Sequence, residues 1–328
     1  MPTKQSMPFH TALCDLLGIR YPIIQGAIMH AGGPGLVAAV SNAGGLGVLS
    51  SAGISTKQLV EDIDETRRLC HMPFGVNIQA GAAEFAMSRA RTVIENGVNV
   101  VTLGRIDTKL PVIDYLKSNN IQIMAVVGNV ERARVCEGQG VDIIIASGCE
   151  AGGHVGRVAT MPLIPAVVNA VRLPVVAAGG IADARGFVAA LALGACGVQM
   201  GTRFYATKEA TATAVEKHKI IAATEDDTMV SAALTGFPCR LIREKILDDW
   251  EQRNRAGAPV EVLKALSAEI QRKYWQKSAG AVVSAGQACG IISTTLAAGE
   301  IIEDMVADSM EIIRSIYKLS GQVMTQQQ

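Results

Sequence analysis

The sequence predicts a closed (β/α)8 barrel, and three observations support this fold. Short apolar runs alternate with helical patterns eight times within residues 1–207 of the 328-residue chain. Several runs end in glycine, which is typical of buried parallel strands followed by tight turns. No GxGxxG motif follows the first run, although an open doubly wound sheet, the alternative fold, usually carries one there.

Each predicted strand is short, partly β-branched and bounded by turn residues, as expected for a strand that is buried on both faces. The strands fall at 21–28, 46–51, 74–79, 98–104, 121–128, 141–147, 173–178 and 197–202. The segments between them have polar starts, apolar stripes and glycine or asparagine near their ends, which predicts helices. These helices fall at 35–42, 56–70, 84–96, 110–119, 130–139, 163–171 and 183–194.

The pattern changes after the barrel. Residues 208–280 are polar and show no strand-like alternation, which predicts a helical insertion domain whose clearest helices are 244–255 and 259–277. Two further helices, 284–296 and 300–319, are expected to return to the barrel within a third segment, 281–322. The tail 323–328 is predicted to be disordered.

The composition narrows the function classes. Hydrophobic residues make up 49% of the chain, which supplies a large core, and aromatic residues only 4%, which argues against nucleobase stacking. A net charge of zero gives no attraction to nucleic acid or an anionic membrane. The seven cysteines show no CxxC spacing, so neither a metal site nor a disulfide framework is indicated. Without a signal core or a membrane-length apolar run, the expectation is a cytoplasmic protein.

One histidine is the candidate catalytic residue. His154 follows the sixth predicted strand, where barrel enzymes place their active sites, and its glycine neighbours leave the ring open to a ligand. Histidine titrates near neutral pH, so it suits a general acid or base. The alternative is a loop histidine that only hydrogen-bonds a carbonyl group.

A phosphate site is predicted at two neighbouring turns. Gly179-Gly180 follows the seventh strand and Gly201-Thr202 follows the eighth, where barrels frequently bind phosphate. The alternative is that these glycines serve only tight turns. Arg203 could add positive charge, or it could pair with a carboxylate elsewhere.

Other polar residues follow strands as well. The amides of Asn77 and Gln25 can each donate and accept, which suits the edge of a cofactor ring or a substrate carbonyl, although Asn77 is equally typical of a turn. Cys149 has no visible activating partner and is interpreted as a spectator. Glu150 could orient either its own loop or the histidine.

Several motifs occur together in the order found in one flavoprotein family. They are Pro22-Ile-Ile-Gln-Gly, Ala43-Gly-Gly-Leu-Gly, Pro73-Phe-Gly-Val-Asn77, Glu150-Ala-Gly-Gly-His154, Ala177-Ala-Gly-Gly-Ile-Ala-Asp183, Gln199-Met-Gly-Thr-Arg-Phe204 and Ser284-Ala-Gly-Gln-Ala-Cys-Gly290. The chain resembles the nitronate monooxygenase (2-nitropropane dioxygenase) family, which also includes flavin-type enoyl-ACP reductases. The resemblance covers the whole barrel and extends into the C-terminal helices.

The resemblance implies a TIM barrel with a helical second domain and non-covalently bound FMN. It implies that His154 lies on the substrate side of the flavin as an acid or base. The residues expected to hold the FMN phosphate are Gly179, Gly180, Gly201 and Thr202. Those expected along the isoalloxazine ring and ribityl chain are Ala27, Ile28, Met29 and Asn77, and the remaining cofactor-binding residues are Gly152, Gly153 and Ala178.

The implied activity is the oxidation of alkyl nitronates with dioxygen. The alternative is reduction of an enoyl thioester or a quinone, with NAD(P)H as a co-substrate, and a more distant alternative is a flavin-free phosphate-sugar enzyme. The sequence departs from many relatives at Gln25-Gly-Ala-Ile-Met29, where they have Gln-Gly-Gly-Met, and at Val126-Val127, where some have lysine. The expected partner is a small-molecule substrate, and neither nucleic acid nor a membrane is expected to bind. The protein could form a homodimer.

Overall fold

The computed structural model describes residues 8–79, 81–104, 110–278 and 280–319. Its strands, in chain order, are β1 (Ile23–Gln25), β2 (Leu46–Ser50), β3 (Phe74–Gln79), β4 (Val100–Gly104), β5 (Gln122–Val127), β6 (Ile143–Ser147), β7 (Gly153–His154), β8 (Val175–Ala178), β9 (Gly197–Met200), β10 (Thr228–Ser231) and β11 (Cys239–Ile242). Strands β1 to β6, β8 and β9 form a closed parallel barrel. The predicted (β/α)8 fold is therefore confirmed.

The barrel strands are buried on both faces. On β6, Ile143 and Ile145 belong to the apolar cluster inside the barrel, whereas Ile144 and Ala146 belong to the cluster between the strands and the helices. Alternate residues of a strand point to opposite faces, so both faces must be apolar here, and the alternating pattern of an exposed strand disappears. The barrel closes where Ile24 of β1 pairs with Gln199 of β9.

The described residues form thirteen α-helices, several of which cover the outside of the barrel. In chain order they are α1 (Ala12–Leu17), α2 (Pro34–Asn42), α3 (Thr56–Leu69), α4 (Ala83–Glu95), α5 (Pro111–Ser118), α6 (Val130–Gly138), α7 (Thr160–Val168), α8 (Ala184–Ala192), α9 (Thr202–Tyr205), α10 (Ala214–Ala222), α11 (Lys245–Arg255), α12 (Val260–Gln276) and α13 (Ala298–Leu319). Helix α13 packs against α8 and α2, so the last described helix lies against the helices of the barrel. Helix α1 contributes Leu13 and Leu17 to the cluster inside the barrel.

The prediction that 208–280 is wholly helical is wrong. This segment contains β10 and β11, which pair antiparallel, and β11 also pairs with β7 to make a three-stranded sheet. Four-residue strands are too short to produce a recognisable alternation, and β7 has only two residues. The pairing of Cys239 with His154 joins this sheet to the loop that follows β6.

The predicted helix at 284–296 is also wrong. A 3-10 helix over Gln287–Ile291 is the regular element there. A β-carbon on Gly286 would lie 2.4 Å from the carbonyl oxygen of Glu150, so this part of the chain runs close against the loop after β6. Because the main chain at Gly286 packs directly on the main chain at Glu150, the segment follows an irregular path there instead of forming a regular helix.

Smaller differences occur at element ends. The eighth barrel strand ends at Met200 rather than at 202, because α9 begins at Thr202. The seven cysteines are free thiols. Over the residues that are described, none of the helices has both the length and the apolar character to cross a membrane. The predicted disordered tail, 323–328, lies outside the described residues.

Candidate functional site

A cavity opens at the C-terminal ends of the barrel strands. It contains about 1440 Å³ of space, part of it continuous with solvent. All twelve site residues predicted from the sequence line it, namely Ala27, Ile28, Met29, Asn77, Gly152, Gly153, His154, Ala178, Gly179, Gly180, Gly201 and Thr202. The sequence motifs therefore meet at one place, as the position of active sites in such barrels requires.

Three of the five glycines among these residues have open space next to their main chain. A β-carbon added to Gly153 or Gly201 would meet no atom within 4 Å, and one added to Gly180 would come no closer than 3.6 Å to Glu150. Gly180 also has a φ of +72°, which favours glycine. We refer to Gly153, Gly180 and Gly201 as the open glycines. They let a ligand approach the main chain closely, as anion sites built from backbone amides require.

Two other glycines serve packing. A β-carbon on Gly152 would lie 2.7 Å from the carbonyl carbon of Ala285, and one on Gly179 would lie 2.9 Å from Oγ1 of Thr160. Neither position could carry a side chain unless its neighbours moved. Both residues line the cavity, but their lack of a side chain is explained by the surrounding protein.

Thr202 adds a hydroxyl group to the predicted phosphate site. Its Oγ1 accepts a hydrogen bond of 2.9 Å from the amide of Gly286, and a hydroxyl that accepts can still donate its own proton to a ligand. The amides at the start of α8 are less available, because the Asp183 carboxylate accepts from two of them. The Asp183 carboxylate therefore offsets the positive end of the α8 dipole, which leaves α8 a small contribution to an anion site.

Arg203 does not contribute charge to the cavity. Its guanidinium group is buried and donates to the carbonyl oxygens of Thr294 at 2.6 Å and Ala206 at 3.3 Å. Burial lowers the pKa of Arg203. Among the described residues, Arg203 therefore contacts neither a ligand site nor a carboxylate, the two possibilities raised by the sequence. It has a structural role instead, because its bonds join α9 to the segment before α13.

His154 lies at the rim of the cavity. It belongs to the short strand β7 rather than to an irregular loop, and its side chain is exposed. Its Nε2 lies 2.9 Å from Oγ1 of Thr235, and its ring meets the ring of Phe237 edge-on at 6.2 Å. The imidazole is thus oriented by the turn between β10 and β11 while it faces both the cavity and solvent.

The two candidate amides have different roles. Asn77 lines the cavity, and its Nδ2 donates to Oγ1 of Thr102 at 2.8 Å, which orients the amide. Gln25 is fully buried and does not reach the cavity. Its side chain accepts from the amide of Val48 at 3.2 Å and donates to the carbonyl of the same residue at 3.3 Å, so it joins β1 to β2.

Glu150 orients its own loop rather than the histidine. Its carboxylate accepts from the amide of Thr160 at 2.9 Å and from the Thr160 hydroxyl at 2.9 Å, which satisfies the first turn of α7. Cys149 is half-buried and does not line the cavity. Its carbonyl accepts from Nε of Arg240 at 2.8 Å. The interpretation of Cys149 as a spectator agrees with this position.

Several residues of the cavity were missed by the sequence reasoning. They come from segments that follow the last barrel strand, and they include Tyr205, Leu234, Thr235 and Tyr274. Ser284 and Gly286 also line the cavity; both belong to the motif at residues 284–290, for which the sequence predicted no role in the site. One signal was present: the turn residues Thr235-Gly236-Phe237-Pro238 separate two β-branched runs, which is a hairpin pattern. The other residues reach the cavity only through long-range packing.

The sequence is similar to a known family of enzymes and to several of its members. The family model described as nitronate monooxygenase matches residues 10–96 and 79–308. A Rhodococcus jostii protein, (3aS,4S,5R,7aS)-5-hydroxy-7a-methyl-1-oxo-octahydro-1H-indene-4-carboxyl-CoA dehydrogenase, is 41% identical over 241 residues, which is 74% of this chain and 68% of that protein. A probable nitronate monooxygenase of Staphylococcus saprophyticus is 34% identical, over 74% of this chain and 81% of the relative.

A solved structure extends the similarity to nearly the whole chain. FabK from Thermotoga maritima has a TM-score of 0.87 and 36% identity, and the match covers 95% of this chain and 99% of FabK. The family and its relatives are oxidoreductases, so this chain is one as well. The match to the family model and the two curated relatives lead to one conclusion: the chain belongs to the nitronate monooxygenase family.

Proposed function

We propose that the protein is an FMN-dependent oxidoreductase that oxidises alkyl nitronates with dioxygen, and that His154 transfers the proton. One observation carries the proposal: a single cavity at the strand ends joins the open glycines to an exposed histidine at its rim. The cavity is lined both by the barrel strand ends and by the turn between β10 and β11, so it offers separate walls to a cofactor and to a substrate.

The residues present fit FMN. The open main chain at Gly180 and Gly201 and the Thr202 hydroxyl would hold the phosphate group, since amides and hydroxyls are suitable donors to an anion. Ala27 and Ile28 offer an apolar wall for a flat ring, and the amide of Asn77 offers a polar contact to its edge. Bound FMN would supply the electron transfer, which no side chain of this site can perform.

The protein itself would carry out the proton transfer. A neutral nitroalkane carries an acidic C–H bond, and an imidazole at the rim can take up that proton and release it to solvent. The bond between His154 and Thr235 keeps the ring in one orientation during this transfer. A nitronate has already lost the proton, so its binding would depend on the cavity more than on the histidine.

A second candidate is the redox chemistry of acyl thioesters, with NAD(P)H as the electron donor in the reductive direction. The observation that favours it is the 41% identity to the Rhodococcus jostii dehydrogenase, which is named for a carboxyl-CoA substrate, together with the similarity to the enoyl reductase FabK. The same histidine would then deliver or remove a proton next to the thioester carbonyl. The open rim of the cavity suits a substrate whose carrier remains in solvent.

One experiment separates the candidates. The purified protein is saturated with FMN and mixed anaerobically with an alkyl nitronate, with NADH, and with NADPH, while the flavin absorbance is followed. Bleaching by the nitronate alone would support the first proposal. Bleaching by a nicotinamide, followed by recovery on addition of an enoyl-CoA, would support the second. A protein that takes up no FMN would overturn both.

A further inference from the structure

The residue after the cavity wall has an unusual conformation. His30 follows Ile28 and Met29, which line the cavity, and has a φ of +49°, which residues other than glycine rarely adopt. The turn is tight, because the amide of Gly32 donates to the carbonyl of Ile28 at 2.8 Å and the amide of Ala31 donates to that of Met29 at 2.7 Å. The position of the wall therefore depends on how this turn is held.

The ring of His30 is bound to a buried carboxylate. Its Nε2 lies 3.1 Å from Oε1 of Glu216 and 3.1 Å from the hydroxyl of Tyr205, and only 10% and 5% of the His30 and Glu216 side chains are exposed. The Tyr205 hydroxyl donates its single proton to Glu216 at 3.1 Å. Because the Tyr205 oxygen can then only accept, Nε2 of His30 carries the proton in this arrangement. We refer to His30, Tyr205 and Glu216 as the buried triad.

The remaining contacts attach His30 to the segments after the barrel. Its ring meets the ring of Tyr274 edge-on at 4.6 Å, at the end of α12. Its carbonyl oxygen accepts from Nζ of Lys277 at 2.9 Å and from Oγ1 of Thr211 at 2.9 Å. Both the ring and the main chain of this residue are therefore fixed by elements outside the barrel.

The triad lies directly behind the cavity. Tyr205 and Tyr274 line the same cavity as Ile28 and Met29, so the side chains that hold His30 are also part of the wall. A buried charge and a left-handed backbone each cost stability, and a packed apolar residue would avoid the first of these costs. Their combination next to the cavity points to a role in the site.

We propose that His30 is a positioning residue, which holds the Ile28–Met29 wall against the bound flavin and substrate through its bonds to Glu216 and Tyr205. That the wall contacts a flavin and a substrate rests on the proposed function. That His30 holds the turn in place does not. The ring of His30 does not itself line the cavity, so it acts through its neighbours.

The test uses His30→Asn and Tyr205→Phe in the full chain. Asparagine tolerates a positive φ, so the first variant keeps the backbone and removes the ring, and the second removes only the hydroxyl. His10→Asn is the matched control, because His10 pairs with Asp15 at 3.2 Å in the segment that packs at the other end of the barrel. Hydrogen exchange of the peptide 26–33 is measured in flavin-free protein, and FMN affinity and substrate KM in the loaded enzyme.

We expect both triad variants to speed the exchange of the 26–33 peptide and to weaken FMN binding or raise KM by about tenfold, the effect of one lost hydrogen bond to a charged group. The His10 control should match the wild type in all three measurements. Unchanged exchange of this peptide in both variants, or faster exchange throughout the protein, would overturn the proposal. So would faster exchange with wild-type FMN affinity and KM.

A failure of the proposed function would look different. The wild type would then take up no FMN, while the exchange of 26–33 in flavin-free protein would still report whether the triad holds the turn. The two results are independent because the exchange measurement needs no ligand.

Discussion

Nε2 of His154 lies 2.9 Å from Oγ1 of Thr235, so a histidine that follows a barrel strand is oriented by a hairpin outside the barrel. The pairing of β7 with β11 fixes the main chain of the histidine, and the turn between β10 and β11 fixes its ring. Cavity and hairpin therefore act as one site, and the proton chemistry proposed for His154 depends on both.

His154→Asn should separate proton transfer from cofactor binding. We expect the variant to retain FMN but to oxidise a neutral nitroalkane roughly 10²- to 10⁴-fold more slowly, which is the usual contribution of a general base. Steady-state rates with the nitroalkane and with its preformed nitronate provide the comparison. The nitronate reaction should lose much less, and equal losses with both substrates would show that His154 binds the substrate rather than removing its proton.

Thr235→Val removes the hydroxyl at nearly constant volume. We expect kcat/KM for a neutral nitroalkane to fall by about five- to tenfold, equivalent to about 1 kcal/mol for one hydrogen bond. Thr235→Ser is the matched control, because it keeps the hydroxyl and should stay close to the wild type. If the serine variant lost as much activity as the valine variant, the methyl group and not the bond to His154 would be the important contact.

Gly201→Ala tests the proposed phosphate site without disturbing the fold. Gly201 has a φ of −107°, which any residue can adopt, and its added methyl group would meet no protein atom within 4 Å. The free energy of unfolding should therefore change by no more than about 0.5 kcal/mol in flavin-free protein. The dissociation constant of FMN should rise at least about tenfold, or roughly 1.4 kcal/mol, because the methyl group occupies the space over the amide.

Gly138→Ala is the control for this substitution. Gly138 ends α6, is exposed, and also has no atom within 4 Å of its added methyl group. It should leave FMN affinity unchanged and stabilise the flavin-free fold by up to about 1 kcal/mol, because alanine has fewer conformations than glycine in the unfolded chain. Wild-type FMN affinity in Gly201→Ala would place the phosphate group elsewhere.

The barrel could be predicted because it depends on local signals, whereas several of the twelve cavity residues were predicted only from the resemblance to a known family. Each barrel strand is an apolar run that ends in a turn, and in this fold the strand ends must converge on one rim. The sequence could not separate Gly179, which is needed for packing against Thr160, from Gly180, which opens onto the cavity. Both read as glycine after a strand, and only the neighbouring chain distinguishes them.

The hairpin left only a turn signal in the sequence, and the buried triad depends on contacts between distant residues. His30 and Glu216 are 186 positions apart. Glu216 forms a capping box with Thr213 at the start of α10, but that local motif gives no indication of a contact with His30. Strands β10 and β11 have four residues each, and the strand that pairs with β11, β7, lies far earlier in the chain. Thr235, which orients His154, therefore has no local pattern of its own beyond the turn residues around it.

Glu216 should contribute a defined part of the acid sensitivity of the protein. Burial alone would raise the pKa of Glu216, but hydrogen bonds from His30 and Thr213 outweigh it and lower the pKa from 4.5 to about 2. A carboxyl group with a lowered pKa in the folded state stabilises the fold above its unfolded pKa, and this contribution is lost as the pH falls through the folded value. The window is therefore about pH 4.5 down to about pH 2.

Glu216→Gln tests this assignment. Glutamine keeps the length of the side chain but cannot ionise, so the variant should be less stable at neutral pH by about 3 kcal/mol at most, and the difference should shrink as the pH falls from about 4.5 towards 2. Urea unfolding across this range measures it. Glu311→Gln is the control, because Glu311 is 76% exposed and pairs with Arg314 at 3.5 Å, and its curve should run parallel to the wild type. Parallel curves for Glu216→Gln as well would mean that this carboxyl group titrates alike in the folded and unfolded chain, which is incompatible with the bonds that surround it.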